Sequence, residues 1–249
     1  MRNDTIPGIL GQELFVQYAA RWLEAVESAD PAVLQRSFET AGPDGQPRRL
    51  RACHFRLRHI IQLVSVVGAA HIKASFVLVP TPAPDGLPRF TLVLSASNAL
   101  GARVSSYYLA EPYELPAEEA ELALGPDEAA TLALGALPAV LGREWARHWR
   151  QAPRIEPALF ASAYGYLRGY SFELSDFVAV LAGVQNPEAG GLVLHFGLHE
   201  YYRPDPVAGD SLGRLFGLLL QLRGADKGRP GGDGDDPGYN MGHPCPPDC

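Results

Sequence analysis

Two stretches, Phe172-Glu-Leu-Ser-Asp-Phe-Val-Ala-Val-Leu181 and Leu192-Val-Leu-His-Phe-Gly-Leu198, decide the fold. Ser175-Asp176 can cap a short helix that runs through Leu181. A loop follows, Gln185-Asn-Pro-Glu-Ala-Gly-Gly191, and then a strand over 192–198 with Leu194, Phe196 and Leu198 on one buried face. Arg203-Pro-Asp-Pro-Val-Ala-Gly-Asp210 connects it to a second apolar run, Leu215–Leu222, which reads as the paired strand. The same order recurs upstream. Ile60-Ile-Gln-Leu-Val-Ser-Val-Val67 reads as helix, and Ile72–Val79 and Phe90–Ser97 read as two strands joined through the Asp85-Gly86 turn. Laying Phe55-Arg-Leu57 on Phe172-Glu-Leu174 sets helix on helix and strand on strand without a gap. An α+β fold is expected, built as a tandem duplication of a helix–β-hairpin unit.

Around these units the chain reads as helical. Leu14, Phe15, Tyr18, Trp22, Leu23 and Val26 recur at three- and four-residue spacing, so residues 11–28 form an amphipathic helix. Asp30-Pro31 is an N-cap followed by proline at the first helical position, opening a short helix through Phe38. A helix is also expected across much of Arg48–Val67, and a third strand over Arg103–Leu109. Residues 116–151 turn Ala-, Leu- and Glu-rich, with helix starts expected at Pro116, Pro126 and Pro138 and a core-facing stripe at Trp145 and Trp149. The expected organisation is N-terminal helices (1–47), a first helix–hairpin unit (48–115), a helical insert (116–170), a second unit (171–224) and a disordered tail (225–249) held, if anywhere, at its tip. That tail is Gly-, Pro- and Asp-rich, with five aspartates against one lysine and one arginine, and has nothing to bury.

Phe172-x-Leu-Ser-Asp-Phe177, Leu192-Val-Leu-His-Phe-Gly-Leu-His-Glu200 and the terminal Pro244-Cys-Pro-Pro-Asp-Cys249 together resemble a family of uncharacterised proteins common in Bacteroidetes. Its members pair a short helix with a strand ending in Phe-Gly-Leu and close on Pro-Cys-Pro-Pro-x-Cys. The resemblance covers roughly the last third of the chain, with the terminal hexapeptide its most specific part. This chain departs from the pattern in its long, Pro-rich connection after Arg203. The resemblance implies organisation and brings no chemistry.

Composition narrows the function. The 249 residues are 47% hydrophobic and carry a net charge of −7, which argues against a nucleic-acid binder with a basic face. No apolar run reaches the ~18 residues of a membrane span, and the first residues contain no secretory h-region. A soluble, cytoplasmic protein with a protein partner is expected, with no nucleic acid and no membrane.

Several motifs are decoys. Gly209-Asp-Ser-Leu-Gly213 matches a serine-hydrolase string, but the chemistry needs Ser211 on a sharp turn after a core strand with a base in reach. Here a loop precedes it, and the one downstream histidine is His243. His195 and His199 are four apart, a ligand spacing on a helix. On a strand that spacing spans ~13 Å, too far for one zinc, and solvent-side polar residues are the expected reading. Arg48, Arg49, Arg51, Arg56 and Arg58, with His54 and His59, form the one concentrated run of positive charge. A phosphate or RNA surface is one reading. A solvated helix face, or a partner for the acidic tail, fits the negative total better. Glu118, Glu119 and Glu121 suit a first helical turn.

Three cysteines remain. Cys53 reads as a small buried hydrophobe. His243-x-Cys245-x-x-x-Cys249 offers three soft or borderline ligands, one short of a closed zinc site and enough for Cu(I), and a disulfide is equally open. Two function classes result: a non-enzymatic interaction or regulatory module, and a thiol- or metal-handling protein acting through His243, Cys245 and Cys249 with Zn²⁺ or Cu(I).

Overall fold

A computed structural model describes residues 8–28, 30–42, 44–81, 86–113, 137–181, 184, 186, 190–203, 211–223 and 243–244. The class is α+β, with five α-helices and antiparallel sheets among the described residues. The N-terminal half begins with β1 (Ile9–Leu10), α1 (Gln12–Glu27), α2 (Pro31–Ser37) and the ribbon β2 (Glu39–Ala41) with β3 (Pro47–Arg49). Then come β4 (Ala52–Arg56), α3 (Leu57–Val64), the hairpin β5 (His71–Val79) and β6 (Arg89–Ser97), β7 (Tyr107–Leu109) and β8 (Glu111–Tyr113). The C-terminal half contains α4 (Ala139–Gln151), a short 3-10 turn at Pro157–Phe160, β9 (Ala161–Ser162), β10 (Gly165–Tyr166) and β11 (Gly169–Glu173). It closes with α5 (Leu174–Leu181), the hairpin β12 (Gly191–Arg203) and β13 (Ser211–Arg223), and β14 (His243–Pro244).

The local signals hold where they were strongest. The Asp30 carboxylate accepts the Ala32 N–H at 2.9 Å and opens α2 on Pro31. Both hairpins lie where alternation placed them, and Pro138 directly precedes α4. Pro116 and Pro126, with the glutamates behind Pro116, lie outside the described residues.

Three local readings change. The helix expected across Arg48–Val67 is confined to Leu57–Val64, because Ala52, Cys53 and Phe55 are buried in a strand that pairs with β12 on one side and β8 on the other. Arg103 makes an isolated bridge to Ser97, and the strand expected from there begins only at Tyr107. Helix α5 starts at Leu174, one residue before the expected cap, so Ser175-Asp176 lie in its first turn.

Two sheets carry the fold. One has six strands in the order β1-β7-β6-β5-β11-β14, the other four in the order β13-β12-β4-β8. The two units, β4-α3-β5-β6 and β11-α5-β12-β13, share their order, a five-residue first strand and an eight-residue helix. Each gives its first strand to the other's hairpin. β4 pairs with β12, and β11 pairs with β5. The registers correspond: Arg56, last in β4, lies opposite Gly191, first in β12, and Glu173, last in β11, lies opposite His71, first in β5. One core results from this exchange.

That core lies between the sheets and is aromatic. Trp22, Phe38, Phe76, Phe90, Trp149, Phe160, Phe196 and Phe216 are at most 1% exposed. Both indoles find acceptors, Trp22 Nε1 donating to the Leu167 carbonyl (2.8 Å) and Trp149 Nε1 to that of Leu50 (2.9 Å), as burial of an N–H demands. On the outer face of the six-stranded sheet, α1 packs Phe15 and Tyr18 with Val77, Val93 and Tyr107, the Phe15 and Tyr107 rings stacking at 3.9 Å. The Tyr170 hydroxyl donates to the Phe216 carbonyl and ties β11 to β13 where the sheets meet. Of the tail, His243 and Pro244 pair with Ser171 and Tyr170 of β11, and the rest of 225–249 lies outside the described residues.

Candidate functional site

Among the described residues, a grouping of titratable side chains lies where α4 meets β12. Trp149 enters the core, whereas Trp145, one turn earlier, is half-buried on the outer side of β12. A Cβ at Gly197 would lie 3.0 Å from the Cβ of Trp145, so glycine permits this close approach of helix and strand. Beyond it, the His199 ring lies 5.4 Å from Trp145 and 5.5 Å from Tyr201, which in turn covers Gly213.

His148, one residue before Trp149, fastens the helix. Its Nε2 lies 3.0 Å from Glu144 and its Nδ1 3.3 Å from the Leu198 carbonyl and 3.8 Å from Glu200. Arg147 closes on Glu144 from outside, and Arg214, across the hairpin from Glu200, reaches it at 2.7 Å. The Arg147 contact holds the Glu144 carboxyl below its usual range. The two carboxylates face different nitrogens of the ring, so a single cation cannot gather all three groups. Arg147 Nη2 also lies 3.3 Å from Nε2, so each ring nitrogen is engaged by neighbouring groups of the chain. The grouping is an ion-pair lattice that seats α4. No cluster of three or more His, Cys, Asp or Glu among the described residues is placed to hold a metal.

The residues singled out from sequence fall apart in space. His195 is 1% exposed, not solvent-side, and its Nε2 meets the Gln221 amide oxygen at 2.6 Å. The correction follows from β12 being covered on both faces over 191–198. His199 shares the face of His195 but is engaged with the Trp145 and Tyr201 rings. Ser211 opens β13 opposite Arg203, at the start of a hairpin strand and not at a strand-to-helix turn, and Gly209 and Asp210 lie outside the described residues. Cys53 is fully buried beside Thr91, and burial pushes its thiol up to about 12, which leaves it inert at neutral pH. Of the proposed metal ligands, His243 is in β14, and Cys245 and Cys249 lie outside the described residues.

The arginine run does not form a helix face. Arg48 pairs with Asp44 at 3.0 Å, and Arg56 pairs with Glu111 at 2.7 Å. Arg58 is exposed, and Arg51 is half-buried. Arg49 caps α4, its Nη1 donating to the carbonyls of Trp149 (2.7 Å) and Ala152 (2.6 Å) at the negative end of the helix. Sequence reading missed this cap, since its two partners are about a hundred residues apart. It also missed Glu144 and His148, whose i,i+4 spacing was the available signal.

Three histidines carry a pH dependence. Burial first, and then Arg58 and Arg56 for His59, holds His54, His59 and His199 below the ordinary 6.5, with Glu111 acting the other way on His54 and His59. As pH falls through 6.5, the unfolded chain takes up protons that the folded chain refuses, so stability drops. Above pH 7 all three are neutral in both states and contribute no slope. The melting midpoint is expected to fall between pH 7 and 5, and a His54→Gln/His199→Gln double variant should show a flatter profile. A native midpoint that stays level or rises over that interval contradicts this assignment.

No family model, curated protein or solved structure matches the chain. No helix among the described residues is long and apolar enough to cross a membrane.

Proposed function

We propose that this chain is a non-enzymatic interaction or regulatory module that engages a protein partner through the projecting end of the β12–β13 hairpin. One observation carries the reading: Tyr202 (77% exposed) and Leu212 (54% exposed) are cross-strand partners on that end. A directly opposed aromatic–aliphatic pair is a unit of sheet stabilisation. Here it faces outward, beyond the point where β4 stops pairing at Ala52 opposite His195. The last bond on that edge is from Phe196 N–H to the Arg51 carbonyl, which leaves the later part of β12 without β4 alongside. An apolar pair beside strand edges suits a partner that adds a strand or seats the two side chains in a pocket. The setting proposed is cytoplasmic. The matched order and register of the two units support an origin by tandem duplication, and the likeness of the last third to the Bacteroidetes family accords with a module that has no resident chemistry.

A photo-crosslinking residue at position 202, in cells that make the protein, is expected to give a discrete adduct. The same group at Tyr164, 74% exposed on the β9–β10 turn, should give none. Leu212→Asp should reduce the adduct at 202 more than tenfold while changing stability by no more than ~0.5 kcal/mol. Equal labelling at both positions, or labelling indifferent to Leu212→Asp, would overturn the proposal.

The alternative, Zn²⁺ or Cu(I) bound by His243, Cys245 and Cys249, is supported by the pairing of β14 with β11, which fixes the backbone of the first ligand at a sheet edge. Metal content and free-thiol titration of the purified protein separate the two readings.

A further inference from the structure

We propose that the outer edge of β11 is a docking site for an extended x-Pro segment, filled in this chain by His243-Pro244 and exchangeable with a segment of the same kind from a protein partner. The ladder on the other side of β11 shows which of its groups serve that edge. Phe76 N–H donates to the Arg168 carbonyl at 2.9 Å and Leu174 N–H to the Ala70 carbonyl at 3.0 Å, one residue outside the strand at each end. Antiparallel ladders alternate, so Tyr170 and Phe172 turn their backbone groups to β5, and Gly169, Ser171 and Glu173 turn theirs outward. On that outer edge β14 sets His243 opposite Ser171 and Pro244 opposite Tyr170. Proline, which has no N–H, thus falls at the position that needs none. His243 is the residue that exchanges backbone bonds with β11.

The other sheet repeats this arrangement. Phe196 N–H donates to the Arg51 carbonyl at 2.8 Å, so Ala52, His54 and Arg56 face outward from β4. β8 sets Glu111 opposite His54 and Pro112 opposite Cys53. Counted from the start of each five-residue strand, the second residue faces proline and the third faces the residue before it, at both edges. Two physical reasons favour x-Pro there. The proline holds the preceding residue extended, so less chain entropy is lost on docking. It also presents no donor on its far side, so the docked strand ends the sheet instead of inviting another. The two edges differ in how firmly they are filled. Only Ala110 separates β8 from β7, and β8 pairs with three residues of β4. Residues 224–242 intervene between β13 and β14, and β14 pairs with Tyr170 and Ser171 alone of the five residues of β11. Closing the longer connection costs more chain entropy for fewer ladder bonds, which makes β14 the exchangeable strand. Ser171 is half-buried and Glu173 is exposed, so the edge is within reach of a partner. This site belongs to the six-stranded sheet and does not depend on the Tyr202–Leu212 end of the other.

The test uses the full chain, a chelator to exclude metal, and a labelled peptide with the sequence of residues 239–249 carrying Cys245→Ser and Cys249→Ser. In the chain, His243→Pro removes the N–H opposite Ser171 and alters nothing in the core. The Ser171 amide of that variant is expected to exchange roughly tenfold faster than in the native chain, or more, with Tyr170 and Phe172 unaffected. The peptide should bind the variant about tenfold more tightly than the native chain, where the tethered segment competes, and should restore protection at Ser171. A peptide that itself carries His243→Pro should bind neither chain. Equal Ser171 exchange in the two chains, or equal peptide affinity, would overturn the site. Loss of protection at Tyr170 and Phe172 as well would show that β14 holds β11 in the sheet, and would overturn the exchange. A native chain that is dimeric at micromolar concentration, and monomeric as His243→Pro, would place the segment on a second copy and overturn its docking within one chain.

Discussion

Phe216→Ala is expected to destabilise the protein by about 3–5 kcal/mol and to lower its melting midpoint by roughly 10 °C. Phe216 is fully buried on β13, and its ring lies within 5.5 Å, centroid to centroid, of Phe76, Trp149, Phe160 and Phe196. Those partners come from both sheets, from α4 and from the 3-10 turn, so the truncated site is walled by elements fixed elsewhere and cannot collapse around the lost ring. Edge-to-face geometry adds to the loss, the Phe76 contact being inclined at 83°. Thermal or urea denaturation monitored by tryptophan fluorescence reads the effect directly, because Trp149 is one of the neighbours. A loss below about 1 kcal/mol would mean that the cluster repacks and is not the centre of the core.

Gly169→Val should be comparably severe, at roughly 3 kcal/mol or more. Gly169 opens β11 opposite Ser75 of β5, at the seam where one unit lends its first strand to the other's hairpin. A Cβ there would lie 3.0 Å from the Ser75 Cα and closer still to the Ala74 carbonyl oxygen, both of them backbone atoms that cannot rotate away. Accommodation would have to move β11 off β5, which also strains the Phe76 N–H bond to the Arg168 carbonyl. Gly191 marks the other seam, where a Cβ would lie 2.5 Å from the Phe55 carbonyl oxygen. Amide exchange separates a local from a global failure: in Gly169→Val, protection should be lost first along 169–173 and 71–75. Retained protection there would show that the seam yields without unpairing.

The sequence by itself determined the elements whose physics is local. Asp30-Pro31 made an N-cap, the 3.6-residue spacing of Phe15, Tyr18 and Trp22 made α1, and alternation made the two hairpins and chose the buried face of β12, Leu194, Phe196 and Leu198. The recurrence of helix and hairpin was legible for the same reason, since the same short-range order appears twice, although the strand that precedes each helix was not read. Tertiary structure decided the rest. Ala52-Cys-His-Phe55 became a strand because β12 and β8 supply its hydrogen bonds, and no property of those four residues excludes a helix turn leading into Leu57. Which hairpin each short strand joins was undetermined, because each hairpin pairs with a short strand over five residues counted from its own first residue. His195 was misread as solvent-side because a strand covered on both faces alternates in sequence like one covered on a single face, when its second face carries histidine and glycine. The candidate sites were invisible for a related reason. Arg49 with Trp149, His148 with Glu200 and Tyr202 with Leu212 meet only once α4 and the long hairpin are packed, and no periodicity in one segment reports the charge or shape of another.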